Sequence, residues 1–153
     1  MLAEALKTLL STSYAFVIKA QHFHWNVEGP NFPQYHKFFG DIYEEVYGNA
    51  IDQTAEYIRT LDSYTPGSMR RFSELSVIEE QPMIPRAELM LQELEVDNQK
   101  SITIEQGTLL LLRNKVSVDR ASNSNSTVHY FVFTERGEQG VTAFSKNEIE
   151  KNL

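Results

Sequence analysis

The sequence predicts a mainly α protein, a bundle of three long helices followed by a β-leaning C-terminal segment. Three observations carry this. Apolar residues recur at three- and four-residue steps through the first hundred positions. Gly and Pro punctuate the places where one helix would hand over to the next. After Lys100 the composition turns to β-branched and aromatic runs.

In the first helix Leu2, Leu6, Leu9, Phe16, Val17, Ala20 and His24 form one stripe about 24 residues long. Gly29-Pro30 ends it, Asn31 is placed to cap the next helix, and Pro33 is tolerated in that helix's first turn. The second helix carries Tyr35, Phe39, Ile42 and Val46, then Ile51, Ala55 and Ile58. Its stripe skips five places between Val46 and Ile51, the slip that one extra residue in a π-bulge produces. Residues 63–82 connect, with a turn at Thr65-Pro66-Gly67 and a short helix in SMRRFSEL. Pro85 opens the third helix, whose buried side holds Ala87, Met90, Leu91 and Leu94.

The tail, residues 101–153, reads as a separate β-rich extension to the helical domain 1–100. Strands are expected at Thr108–Asp119 and Thr127–Glu135, paired as a hairpin across Ala121–Ser126. The alternation of KVSVD and the break at Gly107 favour strand over helix for the leucine run. VTAFS is a further short strand and KNEIEKNL a terminal helical turn.

Composition narrows the function. No apolar run approaches the roughly 18 residues a membrane span needs, and the first residues do not read as a signal peptide, so a cytoplasmic location is expected. With no cysteine, metal ligands must be His, Asp or Glu. Residues 1–100 hold 15 acids against 8 bases, a surface that repels phosphates and suits cations. DNA is therefore not an expected partner.

The four histidines are the informative residues. His22 and His24 point to nearly opposite sides of a helix and cannot share an ion. His24 and His36 flank the Gly29-Pro30 turn and face each other across it. Asp52 and Glu56, four apart in IDQTAEYI, share a face of the second helix. Imidazoles with carboxylates and no sulfur suit Fe(II), Mn(II) or Zn(II).

HWNVEGPNFPQYH followed by IDQTAEYIR resembles the signature of the Dps family, small relatives of ferritin, over roughly residues 2–100. The resemblance implies a ferritin-like helical bundle and a homo-oligomer, up to a hollow shell of twelve subunits. It also implies a ferroxidase site for iron across a two-fold subunit interface. Fe(II) would be oxidised there by hydrogen peroxide or dioxygen, and ferric iron stored inside. By this resemblance His24 and His36 come from one subunit, Asp52 and Glu56 from its neighbour, and Trp25 stands close by.

Three departures follow. The family's acid four places after the second histidine is Gly40 here, with Asp41 one place late. His36 to Asp52 spans sixteen residues where the family has fifteen. A bulge near Gly48 restores the register; a bulge just after His36 would instead make Asp41 a fifth ligand, and Asp41 is counted in the expected metal set with His24, His36, Asp52 and Glu56. The expected fourth helix is replaced by the β-leaning tail. A rival reading follows from these departures: a non-enzymatic ferritin-like scaffold that binds or assembles through residues 101–153.

Overall fold

The computed structural model describes residues 1–122, 130–131 and 141–142. Helix α1 runs Leu2–Asn26 and buries Leu6, Leu9, Leu10, Phe16, Val17, Ala20 and Phe23. It ends as Val27 turns extended, with the Val27 N–H donating to the Phe23 carbonyl. Gly29 then takes φ 114°, a left-handed conformation that costs glycine little. The chain reverses and α2, Phe32–Val46, packs along α1. Asn31 holds the N-cap position without a side-chain capping bond, and Pro33 sits in the first turn.

Beyond Val46 the helix winds as a π-turn, Tyr47–Ile51, before α3, Asp52–Thr60. This is where the apolar stripe skips in the sequence. A π-turn takes in one residue more than an α-turn without changing the faces on either side. Ile51, Thr54, Tyr57 and Ile58 consequently stay buried, and α3 continues to pack on α1.

The connector holds a short helix α4, Met69–Leu75, capped by Ser68, whose side chain accepts from the Arg71 N–H. Phe72 is its buried residue and stacks on Tyr14 of α1 at 4.3 Å. Further on, the Val77 N–H donates to the Thr12 hydroxyl, and Ile78 enters the core. That core joins Phe16, Ala20, Phe23 and Val27 of α1 and its C-cap to Phe39 of α2 and to Ala87, Met90 and Leu94 of α5, Ala87–Ser122.

α5 is also tied to α1 by charge. Lys19 Nζ lies 2.5 Å from Asp97, both side chains being nearly inaccessible to solvent, and Lys100 approaches the other Asp97 oxygen at 3.3 Å. No helix among the described residues is long and apolar enough to cross a membrane.

The helical part matches the expected fold, but the first strand expected in the tail does not form. Thr108–Asp119 is helix, not strand, and lies within α5. The β-branched residues that suggested a strand are satisfied inside the helix instead. Thr103 donates to the Gln99 carbonyl and Thr108 to the Ile104 carbonyl, as Ser101 does to Asp97. Leucine is a strong helix former, and an interior glycine such as Gly107 weakens a helix without having to end it. The expected hairpin between 108–119 and 127–135 therefore does not form. Instead Tyr130–Phe131 (β1) pairs antiparallel with Val141–Thr142 (β2). Residues 127–129 and 132–135 of the second expected strand, and the terminal turn KNEIEKNL, lie outside the described residues. The chain divides into two compact units, Met1–Leu109 and Leu110–Leu153, and the composition change at residue 100 falls inside α5.

Two outcomes follow from the charges. Lys19→Met leaves Asp97 buried without its main partner and should lower unfolding free energy by about 3 kcal/mol, whereas Lys19→Met with Asp97→Leu should recover most of that loss in urea titrations. Burial raises the Glu105 carboxyl above the usual range. A raised folded-state value means the ionised form is disfavoured by folding, a penalty present at neutral pH and relieved as pH falls. Glu105→Gln should then raise the melting temperature at pH 7, with a gain that shrinks towards pH 4.

Candidate metal centre

His24 lies in the last turn of α1 and His36 in the second turn of α2, so the Gly29 reversal brings them side by side. Their rings stack with centroids 3.7 Å apart and planes 20° from parallel. Phe32 stacks on His36 at 4.9 Å, and Tyr43 meets His24 edge-on at 5.4 Å. Each imidazole also bonds the other residue's backbone. His24 Nδ1–H donates to the His36 carbonyl at 2.6 Å, and His36 Nδ1–H donates to the His24 carbonyl at 2.7 Å.

These bonds fix the tautomers. A carbonyl only accepts, so each neutral ring must carry its proton on Nδ1, leaving the Nε2 lone pair as a donor for a metal. A backbone carbonyl behind a ligating imidazole is the usual orienting partner in metal sites. The bond to His24 has a second role: its carbonyl belongs to the last turn of α1, where carbonyls lack helical partners, and His36 supplies one.

His22 faces away, towards the connector, with Nε2 at 2.9 Å from the Met83 carbonyl and Asn26 beside Nδ1. It does not join the pair. Trp25, next to His24 in sequence, is 67% exposed.

The carboxylates lie elsewhere. Asp52 and Glu56 are exposed at the start of α3. Asp52 is close enough to Tyr14 to act on its phenol electrostatically, although burial and the Tyr47 hydroxyl contribute more to holding that phenol above its ordinary range. Tyr14 is ten residues before His24 on α1, about 15 Å along the axis at 1.5 Å per residue. Among the described residues of one chain, no three His, Asp or Glu side chains gather as a metal site.

The π-turn bears on Asp41. On an unbroken helix a sixteen-residue separation places Asp52 about 160° round from His36, and a fifteen-residue separation about 60°. The extra residue is absorbed at Tyr47–Ile51, not just after His36. Gly40 therefore occupies the position one turn after His36. Asp41 is exposed and paired with Lys37 at 2.5 Å.

Sequence reasoning did not anticipate what Gly40 does. It is buried, and a Cβ built on it would stand 3.1 Å from both Cε1 and Nδ1 of His24. The available signal was a glycine inside a helix, one turn from a histidine.

A profile of the ferritin-like domain matches residues 3–104. The chain belongs to the ferritin-like family, on its Dps branch. The DPS protein of Vibrio cholerae O1, described as a member of a broad superfamily of ferritin-like diiron-carboxylate proteins, superposes with a TM-score of 0.71 at 24% identity, over 77% of this chain and 74% of that one. DNA protection during starvation protein 2 of Bacillus anthracis is 29% identical over 107 residues, 70% of this chain and 66% of that protein. An uncharacterized low temperature-induced protein of Nostoc sp. is 36% identical over 94 residues, 61% of this chain. The chain spans about half (52%) of that curated relative's length.

The ferritin-like register yields a check on the π-turn. Removing Gly48, whose Cβ position is open, should let the helix run as continuous α with every core face preserved, so far-UV circular dichroism and melting temperature should hold or improve. Inserting an alanine at the same place should rotate Ile51, Thr54 and Ile58 by about 100° out of the core and lower the melting temperature sharply.

Proposed function

We propose that this chain is a Dps-type ferroxidase whose site is completed between two copies. The observation that carries the reading is the histidine pair, held by its own backbone so that both Nε2 lone pairs are available. In this reading His24 and His36 of one copy anchor Fe(II), and Asp52 and Glu56 of the other supply the charge that favours the ferric product. Imidazole suits the borderline ferrous ion, and carboxylate the harder ferric one. Two ferrous ions give one electron each to hydrogen peroxide, whose O–O bond breaks to two hydroxides; dioxygen is the alternative oxidant. Ferric iron is then stored in a homo-oligomer, removing Fe(II) and peroxide together.

Asp41 is left out of this ligand set, since the extra residue lies beyond it and its carboxylate is engaged with Lys37. The exposure of Asp52 and Glu56 supports the two-copy arrangement, because their α3 face is open to a neighbour. Net charge of −7 supports iron over DNA as the partner.

The test is ferric absorbance after adding Fe(II) and peroxide. His24→Ala with His36→Ala, or Asp52→Asn with Glu56→Gln, should slow its appearance at least tenfold, while Asp41→Asn should leave it near the wild-type rate. Mixing the two double variants should restore part of the rate if the ligands come from different copies. Unchanged oxidation by the histidine double variant would sink the proposal in favour of a scaffold role. In gel shifts at about 150 mM salt, duplex DNA should bind no tighter than micromolar.

A further inference from the structure

We propose that Gly40 is the positioning residue of the histidine pair: its missing side chain is what lets His24 reach the His36 carbonyl and stack on the His36 ring. The proposal deepens the ferroxidase reading by naming what orients its ligands, and it rests on that reading only for the metal.

The geometry is specific. In a helix the Cα–Cβ bond tilts towards the N-terminus, so the side chain at position 40 would lie over the turn that begins at His36. The His36 carbonyl already accepts the helical N–H of residue 40 along α2, and it uses its second lone pair for His24 Nδ1–H at 2.6 Å. A Cβ at residue 40 would sit 3.1 Å from that same Nδ1 and from Cε1.

A shift of His24 would disturb the pair. One face is against the His36 ring at 3.7 Å, Tyr43 stands edge-on at 5.4 Å, and Nδ1 is held by its hydrogen bond. Moving the ring by a few tenths of an ångström would compress the stack or stretch the bond that sets the tautomer. Two other glycines contrast with it. Gly48 and Gly107 have no atom within 4 Å of a built Cβ, so an alanine there meets nothing. A carboxylate at residue 40 would add a ligand oxygen one turn from His36 while displacing the ligand beside it.

The experiment is a double-mutant cycle read without metal and then with it. Gly107→Ala serves as the control for helix propensity and should raise the melting temperature. Gly40→Ala should lack that gain, and long-range nitrogen–proton NMR should show His24 no longer holding its proton on Nδ1 alone. In a His24→Ala background the ring is gone, so Gly40→Ala should raise the melting temperature as Gly107→Ala does. An effect of Gly40→Ala that is the same in both backgrounds would overturn the proposal, and this arm stands even where Gly40→Ala lowers the helix content. With Co(II) as the probe, Gly40→Ala should bind at least tenfold more weakly than wild type, and Gly40→Asp weaker still despite its added carboxylate. Gly40→Asp binding Co(II) as tightly as wild type would equally overturn it. Wild type that binds no Co(II) through His24 and His36 would instead remove the ferroxidase reading and leave the NMR arm to decide the role of Gly40.

Discussion

Two hydrogen bonds join the end of α1 to the start of α2: each histidine's Nδ1–H reaches the other's backbone carbonyl. They do local work and chemical work together. One supplies a partner for a carbonyl that the end of α1 leaves without one. Both leave Nε2 as the nitrogen with a free lone pair on each neutral ring. Because the partners are main chain, the orientation of the rings depends on the Gly29 reversal and the packing of α1 on α2, not on other mobile side chains. Of the aromatic neighbours, Phe32 stacks on His36 and Tyr43 meets His24 edge-on.

The second constraint is register. Asp52 and Glu56 stand on α3, whose buried face must stay against α1 while they stay outside. An added residue in a continuous α-helix would rotate one set against the other by about 100°. The π-turn at Tyr47–Ile51 resolves the conflict locally, at a stretch where Gly48 has no neighbour to crowd. The same device separates Gly40 from Asp41. It leaves the glycine beneath His24 and sends the aspartate out to Lys37. The position one turn after His36 thus serves as clearance for an imidazole.

Charge is arranged in two ways. Lys19 and Asp97 are buried and join α1 to α5, an arrangement that specifies which face of α5 meets α1 more than it adds stability. The exposed pairs, such as Glu4–Lys7 and Arg70–Glu74, are solvated and contribute little. The exposed Asp52 and Glu56 belong to neither group, and among the described residues no three His, Asp or Glu side chains gather as a metal site.

The sequence by itself determined the helices of residues 1–100, the turn at Gly29-Pro30, the slip before Ile51 and the identity of the histidine pair. All of these are short-range: a 3.6-residue period, a residue able to adopt positive φ, and a spacing that places two side chains across one turn. It did not determine the path after Lys100. ITIEQGTLLLL satisfies strand and helix preferences almost equally, and α5 resolves the tie through hydroxyls bonded to carbonyls four residues back. Only the tertiary structure decided where the extra residue is absorbed, because both candidate places leave the local apolar pattern nearly the same. Only the tertiary structure showed Gly40 under the His24 ring, since a missing side chain leaves no periodic signal and its meaning depends on what another helix places against it.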